Sequence, residues 1–496
     1  MTAVHSRDLE ELVRGRVVRP GDSDYEQARR VYNQMIDAHP AAVVRCTCVQ
    51  DVVAVVRYAA EAGLDLAVRG GGHSVPGFGT ADDAIVADLS AMADVVVDPV
   101  ARTATSGGGA TWGVFDAATA VHGLATTGGI ISTTGVAGLT LGGGIGYLSR
   151  GYGLSCDNLL SAQVVTAEGS VVTASEGEHP DLFWALRGGG GNFGVVTELT
   201  FRLHPVKDVY GGPMFFELAD APALLAYFRD FIADAPREYG GFPAFQIAPP
   251  LPFVPPERVG EPFIALVSCW TGSVAEGEQI IQGFRDVAAP VAEHVGVMPY
   301  PALNSAFDAL VPAGLQHYWK AAFVTELTDE AIAAHVEHGS RVPVVNSTMH
   351  LYPVNGACHD VASDATAFGH RDAVFAPVIA GMWPDPADNQ AHTAWVKDYY
   401  AAVAPHSQAG GYVNFASPDD QQRVADNYGA GYSRLREVKR RYDPTSLFHL
   451  NQNIDPWCGP GPPAPRRSGR PGRNAPCRGD GLRCPRPRCA CRWRSC

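Results

Sequence analysis

Arg69-Gly-Gly-Gly-His-Ser-Val-Pro-Gly-Phe-Gly79 is the stretch on which the reading of this chain turns. Its five glycines in eleven residues take away the side chains that would hold a ligand off the backbone. Successive N–H groups can then converge on an anion, forming a nest for phosphate oxygens. His73 sits in the middle, and a glycine loop offers an imidazole little core to pack into. Upstream, residues 41–46 read as a strand. Residues 50–63 read as a helix from the spacing of Val52, Val53, Val56 and Ala59, and 66–68 as a second strand. The loop thus leaves a strand–helix–strand unit at a strand end.

Further along, residues 84–89, 95–97 and 102–106 read as strands and 112–121 as a helix. The uncharged run 123–149 follows, with nine Gly and five Thr. That composition makes a poor membrane helix despite adequate length. It makes a good second neutral wall, and two such walls suffice to hold an extended pyrophosphate cofactor. A hairpin at 160–166 and 170–174, a short helix at 181–186 and a strand at 194–203 complete an α+β unit. The next region alternates differently: strands at 265–270, 318–324, 345–352 and 411–415, and helices at 275–287, 329–339 and 388–403. Strands in succession with helices set apart predict an antiparallel sheet covered on one face.

Of the 496 residues, 46% are apolar and 18% charged, which excludes a disordered chain. The net charge of −14 argues against a nucleic-acid surface. Residues 457–496 differ from the rest, with ten Arg, a single acid (Asp480) and six of the eleven Cys. They cannot build a core. They read as GC-rich coding sequence translated out of frame, with a basic interaction tail as the alternative, and are set aside from the fold. The five remaining Cys (46, 48, 156, 269 and 358) are scattered and odd in number. They do not suggest a disulfide framework, and the first residues contain no secretory h-region. A cytoplasmic protein without membrane contact is expected.

Three other chemistries fail on context. Gly189-Gly-Gly-Asn-Phe-Gly194 matches the dinucleotide fingerprint in spacing but follows a helix and enters a strand, the reverse of what a nicotinamide site needs. No G-x-S-x-G elbow is present, and the His and Cys residues are too scattered for a metal site.

Four separated motifs resemble one family in order and content: Arg69-Gly-Gly-Gly-His-Ser74, Gly142-Gly-Gly-Ile-Gly-Tyr-Leu-Ser-Arg-Gly-Tyr-Gly-Leu-Ser-Cys-Asp-Asn158, Arg187-Gly-Gly-Gly-Gly-Asn-Phe-Gly-Val-Val196 and Tyr442-Asp-Pro-Thr-Ser-Leu-Phe448 with Asn451-Gln-Asn-Ile454. The chain resembles berberine bridge enzyme-type flavoproteins, which have the vanillyl-alcohol-oxidase-type FAD fold, and is nearest in pattern to the singly linked branch that includes 6-hydroxy-D-nicotine oxidase and antibiotic-pathway oxidases. The resemblance implies an α+β fold in which residues 38–208 bind FAD, 209–418 form an antiparallel substrate-binding sheet covered by helices, and 419–456 return to the FAD domain. Residues 1–37 are expected to form an N-terminal helical segment.

The resemblance further implies FAD bonded covalently through His73, a link that would favour hydride acceptance. The expected cofactor contacts are Arg69, Gly70, Gly71, Gly72, His73, Ser74 and Gly77; Thr127, Gly128, Ile131, Thr134, Gly135, Gly138, Leu139, Gly142 and Tyr147; and Val196, Asn451 and Asn453. Many relatives add a second bond from a Cys. Aligned on Gly135-Val-Ala-Gly138, that position is Ile131, which cannot form it, and Cys156 falls about 25 residues later in a structural segment. Ile131, Thr134 and Leu139 are also candidates for O2 access. Pocket residues are expected in pairs on strand faces: Tyr318 with Lys320, His350 with Tyr352, and Tyr412 with Asn414. His350 or Tyr352 is the candidate base, and Lys320 a charge that lowers a nearby tyrosine pKa. The function implied is an FAD-dependent oxidase that takes a hydride from a small alcohol or amine, with O2 as acceptor and secondary metabolism as setting. The alternative is a protective flavoprotein that reoxidises or sequesters a reduced antibiotic. The sequence does not fix the oligomeric state.

Overall fold

The strand–helix–strand unit ahead of the glycine loop anchors the first of three sheets. The structure, a computed structural model, describes residues 9–457, so the basic tail lies outside the described residues. The helix Val49–Ala62 buries Val52, Val55, Val56 and Ala59 on one face, and Gly63 ends it in the left-handed region at φ +64. Strands β1 (Arg16–Val18), β2 (Ala42–Arg45), β3 (Leu66–Arg69) and β4 (Ile85–Asp88) form a four-stranded sheet in the order β1-β2-β4-β3. The β2–β4 and β3–β4 pairs are parallel, with the helix as crossover between β2 and β3. β1 joins antiparallel at the edge. Residues 9–37 are thus not a helical segment: they hold this strand and two four-residue helices. The apolar pair Val17–Val18 finds more burial on the sheet edge than a helix of that length could give it.

The second sheet is antiparallel, with β5 (Val95–Asp98), β6 (Thr103–Gly107), β7 (Leu159–Val165), β8 (Val171–Ser175) and β9 (Val195–Arg202) in the order β5-β6-β9-β7-β8. It packs against the helices Trp112–Ala120, Val136–Leu141, Pro180–Leu186 and Tyr432–Tyr442 around Trp112, Phe115, Phe183 and Phe201.

The third sheet has eight antiparallel strands: β10 (Asp208–Phe216), β11 (Tyr239–Ile247), β12 (Pro262–Trp270), β13 (Ala292–Glu293), β14 (Gly296–Pro299), β15 (Gln316–Ala321), β16 (Thr348–Pro353) and β17 (Phe375–Trp383). The main order is β13-β10-β12-β11-β16-β17-β15, with β14 also on β10. One face packs under the helices Ala221–Asp234, Val274–Val287, Asp329–Gly339 and Asn389–Val403 through Phe228, Phe245, Met349, Leu351 and Ile379. The other faces the glycine-rich half. The fold is α+β, as expected. The strand expected at 411–415 is instead a 3-10 turn at Val413–Phe415, so the alternating-face argument does not hold for Tyr412 and Asn414. Among the described residues no helix is long and apolar enough to cross a membrane, and no group of His, Cys, Asp and Glu could hold a metal ion.

Candidate functional site

A cavity of about 340 Å³ runs from the glycine loop to the helix-free face of the large sheet. Its two ends are built by different means. At the glycine end the wall is backbone. A Cβ on Gly71 would overlap the Gly135 nitrogen, and one on Gly108 the Val196 carbonyl oxygen, so these segments touch main chain to main chain. Gly72 has φ +72, a conformation that favours glycine. The N–H groups of Gly71, Gly72 and His73 have no acceptor among the described residues. Gly138 and Gly191 line the cavity with open space where a Cβ would sit.

Buried charge holds this wall in place. Arg69, at the end of β3, folds its guanidinium onto Asp88 at 2.8 Å and donates to the Arg30 carbonyl at 3.1 Å. The fully buried Lys439 ammonium contacts Asp443 at 2.6 Å and donates to the carbonyls of Asn192 and Phe448. Asp443 in turn accepts from the N–H groups of Leu447 and Phe448. The segment 443–454 is thereby drawn against Asn192, whose amide bonds the Gln452 carbonyl and the Ile454 N–H. It delivers Asn451 and Gln452 to the cavity, where Asn451 Oδ1 and both side-chain polar atoms of Gln452 are buried without a partner among the described residues. An N–H nest, space where side chains would be, and unpartnered buried amides all suit an extended phosphate-bearing cofactor such as FAD.

His73 stands at the rim of the nest. Its ring stacks on Tyr32 at 3.7 Å between centroids, Nε2 lies 2.9 Å from Thr133 Oγ1, and Nδ1 lies 3.5 Å from Thr134 Oγ1. Desolvation pulls its pKa down to about 4, so the imidazole is neutral at physiological pH.

The other end of the cavity is made of side chains at alternate strand positions. β11 contributes Phe242, Ala244 and Gln246; β16 contributes Thr348, His350 and Tyr352; β17 contributes Val378, Ala380 and Met382. The register sets His350 opposite both Ala244 and Val378. His350 Nδ1 and Tyr352 Oη are 2.7 Å apart, with Phe242 tilted against both rings. Burial alone lowers the His350 pKa to about 3, well below the unperturbed value that made it a candidate base near neutrality. Burial also pushes the Tyr352 phenol upward. Both are neutral, and they share one hydrogen bond.

Of the expected cofactor residues, Arg69, Gly70, Gly71, Gly72, His73, Ser74, Ile131, Thr134, Gly135, Gly138, Leu139, Val196 and Asn451 line the cavity. Gly77, Thr127, Gly128, Gly142, Tyr147 and Asn453 do not; the first five are engaged elsewhere, while Asn453 Oδ1 is buried with no partner among the described residues. Gly77 makes room for Ile36, and Gly128 for the Trp112 indole. Thr127 donates to the Gly153 carbonyl at 2.8 Å. Gly142 packs on the Asn414 amide, and Tyr147 stacks beneath Phe242.

Tyr318 and Lys320 are corrected more sharply. They do share a face of β15, but it is the helix-covered one: Tyr318 Oη donates to Asp419, and Lys320 bridges Asp419 and Asp420 at 2.9 and 2.7 Å. The Tyr318 phenol is pushed up by burial and Asp419, so Lys320 does not activate it. Trp319, between them, lines the cavity. Tyr412 lies behind the wall, its Oη accepting from Gly144 N–H and the Asn414 amide, while Asn414 itself reaches the cavity. Tyr32, Thr133, Gln246 and Trp319 went unnoticed in the sequence. Two of them lie in segments the sequence singles out: Thr133, next to Thr134 in the uncharged run, and Trp319, between Tyr318 and Lys320 on the expected strand.

Comparison with known proteins identifies relatives over most of the chain. Residues 40–175 match the family model described as FAD binding domain, and residues 411–455 the model described as berberine and berberine like. The chain is similar to the (R)-6-hydroxynicotine oxidase of Paenarthrobacter nicotinovorans, with 32% identity over 456 residues, 90% of this chain and 97% of that one. It is similar to an FAD-linked oxidoreductase of Dictyostelium discoideum at 31% identity, covering 90% and 96%. The crystal structure of 6-hydroxy-D-nicotine oxidase from Arthrobacter nicotinovorans superimposes with a TM-score of 0.80 at 28% identity, covering 92% of this chain and 100% of that one.

Proposed function

Because this chain belongs to the berberine-like FAD-linked oxidoreductases, we propose that it is an oxidase carrying FAD covalently on His73 and dehydrogenating a small organic alcohol or amine, with O2 as final acceptor. The observation that carries this reading is one continuous cavity joining the glycine nest and His73 to the His350–Tyr352 pair. FAD, when bound, supplies the hydride acceptor.

The chain's own residues do the rest. A neutral His73 keeps a nitrogen lone pair available for attachment, while Thr133 holds the ring through Nε2. Ile131 at the other wall offers no thiol, which supports a single link. At the substrate end, a phenol donating to a neutral imidazole forms a relay. Tyr352 accepts the substrate's hydroxyl proton as its own passes to His350 Nδ1, so no isolated tyrosinate has to exist. The imidazolium so formed is penalised by the apolar wall, is therefore transient, and would be offset by the negative charge that hydride transfer brings to bound FAD. Phe242, Trp319 and Phe415 keep bulk water from this end. Ile131, Thr134 and Leu139 line the route proposed for O2.

The test is direct. Acid-precipitated protein should stay yellow, and His73→Ala should lose the colour on the same treatment. Under nitrogen a substrate should bleach the flavin, and air should restore it with one peroxide per substrate oxidised. Flavin extracted by acid from the unmodified protein would refute the link, and bleaching that air does not reverse would refute the oxidase.

A further inference from the structure

The cavity wall is electrically neutral from end to end. Among the described residues its only charged lining residue is Arg69, already paired with Asp88. The large sheet brings no Asp, Glu, Lys or Arg to it. A cationic amine would therefore be buried without a counter-charge, with its desolvation uncompensated. An oligosaccharide fares little better, because the polar groups on this wall are few and partly spent. Thr348 Oγ1 donates to the Phe245 carbonyl at 3.0 Å, and the Asn346 amide to the Leu310 carbonyl at 2.7 Å.

The unspent groups fall in two places. One is the His350–Tyr352 pair. The other is a shelf at the end of β11, where Gln246 lines the cavity and its amide has no hydrogen bond among the described residues, with Asn346, two residues before β16, also on the lining. Gln246 stands opposite Thr348, two residues along β16 from His350, so shelf and pair are about 7 Å apart. Between and around them lie Ala244, Val378, Ala380 and Met382. From this we infer that the substrate is an uncharged, mainly apolar ring compound with a reacting secondary hydroxyl at His350–Tyr352 and a second neutral oxygen that accepts from Gln246.

This rests on the oxidase reading above and narrows it. The C–H bond of the carbinol breaks with its electron pair leaving to the bound cofactor, and the O–H proton goes to the Tyr352–His350 pair. The products are a ketone and, after reoxidation by O2, hydrogen peroxide: one alcohol and one O2 give one ketone and one H2O2.

Four probes test it on the holoenzyme: 4-hydroxy-1-tetralone, 1-tetralol without the distal oxygen, protonated 1-aminotetralin, and cellobiose. Binding is read at pH 7 under nitrogen as a perturbation of the flavin spectrum, separately from bleaching. We expect 4-hydroxy-1-tetralone to bind at least about 10-fold more tightly than the amine or the sugar. In Gln246→Leu it should lose about 10-fold, one hydrogen bond to a neutral acceptor, with 1-tetralol unchanged. The inference is overturned if the amine or cellobiose binds as tightly, if none of the probes perturbs the flavin, or if Gln246→Leu weakens both tetralins alike. Selective binding without bleaching would uphold the substrate class and sink the oxidase. Bleaching by cellobiose or the amine would do the opposite.

Discussion

The glycine end of the cavity and the strand end solve the same problem, holding a ligand at fixed geometry, with opposite materials. At the first, backbone presses on backbone and the recognising groups are N–H donors common to every residue. At the second, a rigid sheet presents chosen side chains, and a shift of one residue exchanges the whole set for its neighbours. The first wall is therefore intolerant of any added atom and indifferent to side-chain chemistry. The second tolerates changes of size and depends on which functional group stands where.

The largest expected effect follows from the first wall. Gly71→Ala places a methyl group on the Gly135 backbone, which has nowhere to retreat. We expect purified Gly71→Ala to contain almost no flavin, measured as the ratio of visible to protein absorbance. The same methyl added on the strand wall, Ala380→Val, should leave flavin content unchanged. Equal loss in both would erase the distinction between the walls.

Next come the side chains. Tyr352→Phe or His350→Ala should slow flavin reduction about 100-fold, the scale of losing a proton acceptor, with flavin content intact. Tyr318→Phe, two strands away on β15 and facing the helices, should leave the reduction rate within about 2-fold of the parent. The contrast is a measure of sheet register. A slow Tyr318→Phe and a fast Tyr352→Phe would reverse the faces assigned here.

The His350–Tyr352 pair also sets a pH profile. Burial lowers the His350 pKa to about 3, because the cation is the form the apolar wall penalises. Protonation that would block the relay thus starts well below the usual histidine range. The rate of flavin reduction should stay level from pH 8 down to about 5, its acid limb appearing only beyond that. A limb centred near 6.5 would mean that His350 is solvated in the working enzyme.

The same contrast explains what the sequence could tell. Glycine loops are legible because what they do depends on the absence of side chains, which needs no tertiary context. Arg69–Ser74 and Gly135–Leu139 were readable for that reason. The strand wall was harder. β10 and β11 carry Gly211-Gly212-Pro213 and Gly240-Gly241 with Pro243, residues that argue against a strand, and went unrecognised with Gln246 among them. β17, buried on both faces, shows no alternation to read. Without those partners the sequence could say that Tyr318 and Lys320 share a face, but not which one. His350 and Tyr352, paired by the same logic, happened to face the cavity. Tyr32 gave no signal at all, since its stacking on His73 exists only in the folded chain.

The smallest effect belongs to the seam where the two halves meet. Asp116, on the Trp112–Ala120 helix of the glycine-rich half, accepts from the Asn304 amide of the Tyr300–Asn304 helix at 2.7 Å. Its Oδ1 and the Asn304 Oδ1 are both buried without partners among the described residues. Desolvation raises the Asp116 pKa to about 7, with the Asn304 bond opposing it only in part. The folded state therefore keeps a proton that the unfolded chain releases near the ordinary carboxylate value. Stability from this group is complete below that value and is lost as pH rises toward and through 7. Asp116→Asn imitates the protonated acid and has nothing to lose. Its melting temperature should match the parent's at pH 4 and exceed it by about 2 °C at pH 8, an increment of order 1 kcal/mol in a chain of this size. A difference that does not change with pH would show that the carboxyl is ionised in the fold, and that the seam between the two walls admits water.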